Sequence, residues 1–142
     1  MTNLQIGFIG QGFIGRNMAD DFAARGFETV RYALEEPYIA NKGRIADCDI
    51  TFIAVPTPTT PAGFDPSLIR AVLPLIGAGK TAVIKSTILP GTTAALQKEF
   101  PDIILLHSPE FLREVSAAED TANPERNIIG IPTETEAHQK AA

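Results

Sequence analysis

The chain has 142 residues, 44% of them hydrophobic and 20% charged, and carries a net charge of −5 at neutral pH. These values indicate one globular domain with its own core, and the acidic balance, without a cluster of Lys and Arg, argues against nucleic acid or an anionic membrane as partner. The single cysteine, Cys48, excludes an intrachain disulfide and a cysteine-based metal cluster, and no apolar run reaches the length of a membrane span. We therefore expect no metal site and a cytoplasmic location.

Apolar strands alternate with helical patterns along the chain. The helical spacing is clear in residues 13–25, where Ile14, Met18 and Phe22 recur and Gly26 ends the pattern. In chain order, the sequence predicts strands at 5–9, 29–32, 50–55, 81–84, 103–107 and 127–131, with helices at 13–25, 66–76 and 92–100. Because the strands are apolar throughout, we predict a doubly wound α/β fold, Rossmann-like, with a parallel six-stranded sheet in a single domain. This domain would span residues 1–132, and residues 133–142 would be the start of a truncated helix or a polar tail.

The first strand runs directly into a G-x-G-x-x-G motif formed by Gly10, Gly12 and Gly15, and a helical pattern follows. Gly10 would make the tight turn, Gly12 would let the backbone approach a pyrophosphate, and Gly15 would let the helix pack close to the strand. Free N–H groups at the helix N-terminus would bind the anion. The motif alone is weak, because eleven glycines in a chain of this length can produce it by chance. In this context it predicts a dinucleotide site.

Four unusual segments follow predicted strands, at residues 10–15, 55–60, 85–92 and 107–114. In open parallel sheets, ligands bind outside the carboxyl ends of the strands, where the strand order switches. We therefore expect the four segments to meet at one edge of the sheet. The pocket there would be rich in hydroxyls and backbone N–H groups, with two carboxylates nearby, and would suit a cofactor and a polar substrate.

Three of these segments carry motifs that are more specific than the glycines: Val55-Pro56-Thr57-Pro58, Lys85-Ser86-Thr87 followed by Pro90-Gly91-Thr92, and Ser108-Pro109-Glu110-Phe111-Leu112-Arg113-Glu114. With them, residues 4–131 resemble the N-terminal NAD-binding domain of the nucleotide-sugar 6-dehydrogenases, the UDP-glucose/GDP-mannose dehydrogenase family. The resemblance implies NAD as cofactor and oxidation of a sugar primary alcohol to a carboxylate. A nucleotide sugar would be the substrate.

The same resemblance implies roles for individual residues. Thr87 is similar to the threonine that positions the active-site water or the reacting oxygen, and Glu110 to the carboxylate that acts as general base in the hydrolytic step. Phe111 and Leu112 are similar to a substrate-contacting pair. The implied NAD-binding residues are Gly10, Gln11, Gly12, Phe13, Ile14, Gly15, Glu35, Val55, Thr57, Pro58, Ser86 and Glu114.

The segment over residues 31–35, where the adenosine ribose would bind, departs from the family pattern. Ala33 stands after the second strand, where an acidic residue usually binds the adenosine ribose hydroxyls. Three alternatives follow: Glu35 reaches the ribose from two positions further on, NAD binds weakly, or Arg31 admits a 2′-phosphate and hence NADP. We favour NAD. The connection over residues 37–47 is also shorter than in the family.

The family's reaction uses a cysteine nucleophile on a later domain, and no such domain lies within these residues. Cys48 matches no cysteine position of the family. We expect the chain to bind a dinucleotide without turning over substrate by itself, its nucleotide-sugar site being completed by a missing C-terminal domain; an oligomer is possible. Two alternatives stay open: a non-catalytic dinucleotide-binding module, and the cofactor domain of a 3-hydroxyacid or 6-phosphogluconate type of dehydrogenase.

Some of these residues also have simpler interpretations. Ser108-Pro109-Glu110 is typical of a helix start, with Ser108 as N-cap. If that segment is helical, Glu110 and Glu114 share one face. Lys85, at a strand end, is about as compatible with a solvated lysine as with a partner of a phosphate or carbonyl group.

Overall fold

The computed structural model describes residues 3–142, which fold as strands alternating with helices. The strands are β1 (Gln5–Ile9), β2 (Glu28–Tyr32), β3 (Ile50–Ile53), β4 (Thr59–Thr60), β5 (Gly63–Phe64), β6 (Thr81–Ile84) and β7 (Ile104–His107). The α-helices are α1 (Phe13–Ala24), α2 (Ser67–Val72), α3 (Thr92–Glu99), α4 (Ala117–Ala122) and α5 (Glu136–Ala141). Three segments form 3₁₀ turns, at Tyr38–Asp47, Leu73–Leu75 and Glu114–Ser116. None of the helices in residues 3–142 is long and apolar enough to cross a membrane.

Five strands form one sheet in the order β2-β1-β3-β6-β7, and every neighbouring pair is parallel. The chain moves to one side of β1 to form β2 and then crosses to the other side to form β3. The order therefore reverses between β1 and β3, which is the switch point at which such sheets bind ligands. This confirms the doubly wound, Rossmann-like α/β fold. The short strands β4 and β5 pair separately as an antiparallel hairpin that the sequence did not predict.

The sheet is packed on both faces, because successive residues of a strand point to opposite sides. On one face, Ile53, Ile84 and Leu105 belong to a large aliphatic cluster with residues of α2 and α3. On the other face, Phe8 of β1 packs with Phe22 of α1 and with β3, and the ring centroids of Phe8 and Phe22 are 5.6 Å apart. The apolar strands predicted from the sequence are thus buried as a parallel sheet requires.

The sixth predicted strand, over residues 127–131, does not form. Only Gly130 pairs with the sheet: its N–H donates to the His107 carbonyl at 2.7 Å and its carbonyl accepts from His107 N at 3.0 Å. The edge of β7 is already occupied, because the Leu105 N–H donates to the side-chain oxygen of Gln97 at 2.9 Å. In addition, with His107 opposite Gly130 in an antiparallel arrangement, residues 127–129 lie beyond the end of β7, where the chain is irregular.

The side chain of Gln97, on α3, connects several segments beside β7. Its Nε2 donates to the carbonyls of Phe100 and Ile103, at 2.9 and 2.8 Å. Its Oε1 also lies 2.7 Å from Nε2 of His138, a buried residue of α5. The segment after residue 132 therefore contains a helix that packs against the sheet edge, while the domain boundary at residue 132 stays a prediction.

The predicted helix over residues 66–76 is split in the structure. The α-helical part ends at Val72, and Leu73–Leu75 continues as a 3₁₀ turn that contains Pro74. Because proline has no N–H, it cannot extend the α-helical hydrogen bonding. Ile69 and Leu73 are buried, whereas Leu68 is exposed.

Candidate functional site

The glycine turn after β1 needs glycine for three different reasons. Gly10 has a φ of +92°, and a Cβ there would overlap the Ala54 carbonyl oxygen. A Cβ on Gly15 would overlap the Gly10 carbonyl oxygen, so α1 packs directly on the turn. Gly12 is the N-cap of α1, and a Cβ on it would meet no atom within 4 Å. The open space beside Gly12 is where the motif expects a ligand.

The N-terminus of α1 supplies free hydrogen-bond donors beside this space. The first α-helical hydrogen bond runs from Arg16 N to the Gly12 carbonyl, at 3.0 Å. The N–H groups of Phe13, Ile14 and Gly15 precede it and have no partner within the helix. The first turn of this 12-residue helix contains no acidic residue. Donors, helix dipole and open backbone together fit a pyrophosphate.

Gln11 lies within the same turn and is only partly satisfied. Its Nε2 donates to the Gly10 carbonyl at 2.9 Å. Its Oε1 is buried and finds no hydrogen-bond partner among residues 3–142. The Gln11 side chain thus stabilises the turn through Nε2, while Oε1 remains a buried acceptor without a partner among residues 3–142.

The loops after β3 and β6 are joined by two hydroxyl groups. Ser86 Oγ donates to the Val55 carbonyl at 2.7 Å, and Thr57 Oγ1 donates to the Thr87 carbonyl at 2.6 Å. Together with the contact between Gly10 and Ala54, these bonds confirm that the glycine turn and the two loops lie side by side. The hydroxyl protons of Ser86 and Thr57 are used within the fold. Thr87 itself is exposed, and its hydroxyl forms no hydrogen bond within the described chain.

The loop after β7 joins this edge through Lys85. The ammonium of Lys85 donates to Ser108 Oγ at 3.2 Å and lies 3.2 Å from Oε2 of Glu110. Only 7% of the Lys85 side chain and 17% of the Glu110 side chain are exposed. The other carboxylate oxygen of Glu110 accepts from the Phe111 N–H at 2.9 Å. The sequence left Lys85 undecided, and the structure makes it one partner of a buried ion pair.

The helix start predicted at Ser108-Pro109-Glu110 is wrong. Residues 109–113 are irregular, and the next regular turn begins at Glu114. The Ser108 hydroxyl accepts from Lys85 instead of capping a helix, and the Ser108 N–H donates to the Ile84 carbonyl at 2.9 Å. The shared helical face proposed for Glu110 and Glu114 is therefore absent.

The loop that follows Glu110 is fastened by Asp120, on α4. The carboxylate of Asp120 accepts from the Arg113 N–H at 3.0 Å, from the Arg113 guanidinium at 2.8 Å and from Ser116 Oγ at 2.9 Å. The Arg113 guanidinium holds the pKa of Asp120 well below its usual range, and the Arg113 N–H and Ser116 Oγ act in the same direction. Asp120 thus fixes a loop whose Phe111 is 62% exposed.

Two cavities meet at Glu110 and Leu112. One, of about 500 Å³, lies over the sheet face between α1 and α4 and is lined by Phe52, Val83 and Lys85 among others. The second, of about 600 Å³, lies between residues 109–113 and 123–127. Leu112 is half-buried between them, whereas Phe111 lines only the second.

Three charged residues assigned to the cofactor, Arg31, Glu35 and Glu114, differ in whether they have a partner within the fold. Arg31 pairs with Asp20 of α1 at 2.6 Å, so its guanidinium is engaged along the helix. Glu35 is exposed just after β2, and Glu114 is exposed on the far loop. Neither of these two carboxylates makes an ion pair or side-chain hydrogen bond within residues 3–142. The structure does not bring them into contact with the other predicted site residues.

His107 and Cys48 are the remaining titratable groups of interest. Burial lowers the pKa of His107, although a backbone contact with Ser86 opposes the shift, and the nearby Lys85 charge adds to the lowering. Its Nε2 is buried without a partner in the described part of the chain. Burial raises the pKa of the Cys48 thiol to about 11, which makes it a poor nucleophile. Across residues 3–142, no three His, Cys, Asp or Glu side chains converge in a way that could hold a metal ion.

A parallel sheet with a glycine turn and a free helix N-terminus at its switch point defines a dinucleotide-binding domain. Residues 32–142 match the model of the UDP-glucose/GDP-mannose dehydrogenase family, NAD binding domain. The chain belongs to this family, and its cofactor is NAD. The engagement of Arg31 by Asp20 agrees with that assignment, because this arginine is already paired.

Relatives of known name support the family. UDP-glucose 6-dehydrogenase AglM of Haloferax volcanii is 26% identical over 179 aligned positions, which cover 92% of this chain and 42% of the relative. UDP-glucose 6-dehydrogenase TuaD of Bacillus subtilis is 38% identical over 94 residues, covering 58% and 20% of the two chains. A UDP-glucose dehydrogenase structure from Pyrobaculum islandicum superimposes with a TM-score of 0.80 at 25% identity, over 97% of this chain and 43% of that one.

The relatives are longer than this chain in two respects. The chain spans less than half the length of these relatives. The alignment with AglM also has more positions, 179, than the 142 residues of the chain, so that relative carries insertions.

Proposed function

We propose that the chain is the NAD-binding part of a cytoplasmic nucleotide-sugar 6-dehydrogenase that oxidises a sugar primary alcohol to a carboxylate. Turnover would require a cysteine-bearing substrate domain that these 142 residues do not contain. The observation that carries the proposal is the junction of two features at one sheet edge. The open glycine turn at Gly12 is linked, loop by loop, to the buried pair of Lys85 and Glu110.

Different residues around this edge would bind different parts of the cofactor. When bound, NAD supplies the hydride acceptor. The turn formed by Gly10, Gln11, Gly12, Phe13, Ile14 and Gly15 would hold the pyrophosphate. Glu35 would bind the adenosine ribose in place of an acid at Ala33. The inner half of the cofactor would lie against Val55, Thr57, Pro58 and Ser86. Glu114, which is exposed on the loop after β7, would approach the cofactor from outside this group.

Two residues would act on the substrate. Thr87 presents a hydroxyl without an internal partner, while its carbonyl is fixed by Thr57, and this suits positioning of a water or the reacting oxygen. Glu110 would accept a proton as general base in the hydrolytic step, since its carboxylate is held between Lys85 and the Phe111 N–H. Phe111 and Leu112 would contact the sugar nucleotide.

Calorimetric titration of the 142-residue chain with NAD, NADP and UDP-glucose in parallel tests the cofactor part of this proposal. We expect NAD to bind more tightly than NADP, because Arg31 is engaged by Asp20 and Glu35 is free to meet a ribose hydroxyl. UDP-glucose should not bind measurably, since most substrate contacts would lie on a substrate domain outside these 142 residues. Absence of binding by either dinucleotide would contradict the proposal.

A non-catalytic dinucleotide-binding module is the second candidate, because Ala33 replaces the usual acid and the connection to β3 is a short 3₁₀ run. The two candidates differ at Glu110. In an enzyme that joins this domain to a substrate domain, Glu110→Gln should slow turnover and leave the affinity for NAD nearly unchanged. Unchanged turnover would contradict the general-base role of Glu110, and absence of turnover in the unaltered joined protein would favour the module. A 3-hydroxyacid or 6-phosphogluconate type is disfavoured by the segment from Pro109 to Glu114.

A further inference from the structure

The Lys85 side chain extends from the end of β6 to Glu110, which lies on the loop after β7. It directly follows β6, and its stem runs along the same face as Val83, which also lines the sheet-face cavity. Its side chain is only 7% exposed, and its ammonium lies 3.2 Å from both Ser108 Oγ and Glu110 Oε2. A lysine is buried in this way when its charge is paired.

Of the other cations that line the same cavities, Arg25 and Arg113 are engaged elsewhere, and Arg126 makes no ion pair within residues 3–142. Arg25 of α1 pairs with Asp21 at 2.8 Å, and Arg113 pairs with Asp120 of α4 at 2.8 Å. Within residues 3–142, Lys85 is therefore the cation in contact with the Glu110 carboxylate. Because the pair is largely removed from solvent, salt screens it little.

The two oxygens of Glu110 have different partners, and this connects the strand to the loop. One oxygen meets Lys85, and the other accepts from the Phe111 N–H at 2.9 Å. Rotation of the carboxylate would break both contacts at once. The position of Phe111, and of Leu112 after it, therefore depends on the cation that orients Glu110.

We propose that Lys85 is a positioning residue that orients the Glu110 carboxylate and, through it, the segment Phe111-Leu112 at the carboxyl edge of the sheet. The inference rests on the proposed function, in which Glu110 is a general base and this segment contacts substrate. Lys85 touches neither substrate nor cofactor in this scheme. It acts by fixing the group that does.

Nuclear magnetic resonance of the labelled 142-residue chain tests the proposal without substrate. In Lys85→Met, the Phe111 amide should change its chemical shift and exchange with solvent at least about 10-fold faster, because its acceptor is no longer held. Amides inside β6 exchange through global unfolding and therefore report the overall loss of stability separately from the local opening at Phe111. Lys85→Arg should restore most of the protection of Phe111, since it keeps a cation in reach of the carboxylate.

Lys80→Met is the matched control, because Lys80 flanks the other end of β6 and pairs with Asp49 at 2.8 Å. It should leave the Phe111 amide unchanged. If Lys85→Met leaves the exchange rate of Phe111 within about two-fold of the unaltered chain, the proposal is wrong. An equal effect of Lys80→Met would overturn it as well, because the response would then be a general loss of stability.

A second variant covers the case in which Lys85→Met does not fold. The double variant Lys85→Met with Glu110→Gln removes both charges and should fold, because an uncharged pair leaves no unpaired buried ion. A double variant that stays unfolded would overturn the proposal, since Lys85 would then be needed for something other than Glu110. If Phe111 responds as expected and Glu110→Gln leaves turnover intact, the positioning inference stands and the general-base role fails.

Discussion

The two ends of β6 carry the same kind of interaction in opposite surroundings. Lys80 precedes the strand and pairs with Asp49 at 2.8 Å, and Lys85 follows it and pairs with Glu110 at 3.2 Å. At the amino end, the two side chains are 35% and 37% exposed, whereas at the carboxyl end they are 7% and 17% exposed. Lys80 and Lys85 are five positions apart and flank the same strand, yet one forms a solvated ion pair and the other a buried one.

The difference follows from what each edge of a parallel sheet does. At the amino edge, Asp49 accepts from Gln5 N as well as from Lys80, and this closes the turns between neighbouring strands. At the carboxyl edge, the loops leave groups without partners among residues 3–142, such as the open backbone at Gly12 and the hydroxyl of Thr87. At the amino edge, the Asp49 carboxylate is engaged by both neighbours, whereas the carboxyl edge keeps donors and space for a ligand.

Replacing each lysine by methionine should show the contrast most strongly. We expect Lys85→Met to lower the free energy of unfolding by about 3–5 kcal/mol, because the carboxylate of Glu110 stays buried without its cation. Lys80→Met should cost only about 0–1 kcal/mol, as exposed pairs do. Urea unfolding of both variants measures the two losses. Similar losses for the two variants would show that burial does not distinguish the edges.

Gly12→Val should abolish the ligand site while sparing the fold. The added side chain would meet no protein atom near its Cβ, but it would occupy the approach to the pyrophosphate. We expect the affinity for NAD to fall by at least about 100-fold, or about 2.7 kcal/mol, by calorimetry, with little change in the melting temperature. Gly43→Val is the control, because its Cβ also has open space but lies on the 3₁₀ connection. Retained NAD binding in Gly12→Val would remove the site assignment.

Asp120→Asn should loosen the carboxyl-edge loop. The amide loses the charge that accepts from Arg113 and Ser116, so amides in residues 110–116 should exchange about five-fold faster. Asp49→Asn, at the amino edge, should leave these amides as they are. Hydrogen exchange followed by mass spectrometry resolves the segment. An unchanged segment in Asp120→Asn would mean that the loop is held by the Lys85 pair alone.

The smallest effect concerns acid stability at the amino edge. The hydrogen bond from Lys80, followed by that from the Gln5 N–H, lowers the pKa of Asp49 below its ordinary value of 3.8. A carboxyl whose pKa is lower in the folded state stabilises the fold above the ordinary pKa, and this contribution is lost as the pH falls through the folded value. Asp49→Asn should therefore flatten the loss of stability below about pH 4, by less than about 1 kcal/mol, in urea midpoints measured against pH. An unaltered slope would assign the acid sensitivity to other carboxylates.

Local signals in the sequence were sufficient for much of the sheet and for the glycine turn. The alternation of apolar strands predicts β6 at its observed bounds, and the spacing of Gly10, Gly12 and Gly15 predicts three roles that the geometry supports. These features depend on backbone conformation and on near neighbours. A single sequence contains that information directly.

Features that depend on distant side chains could not be predicted in this way. The N-cap signal at Ser108 is locally strong, but Lys85, 23 positions earlier, takes the hydroxyl. The strand expected over residues 127–131 has suitable residues, but the pairing of Gly130 with His107 places 127–129 beyond the end of β7, and the Gln97 amide takes the next donor on that edge. In both cases a contact across the fold competes with a local preference and prevails.

The amide of Gln97 also bears on how the chain behaves at high concentration. A strand at the rim of a sheet normally offers a row of unpaired backbone groups that can recruit a strand from another molecule and begin aggregation. Along β7, one glutamine side chain and the single pairing of Gly130 take the place of that neighbour. Gln97→Leu should expose the Leu105 N–H and raise light scattering on concentration. A variant that remains monodisperse would show that α5 alone is enough to shield the rim.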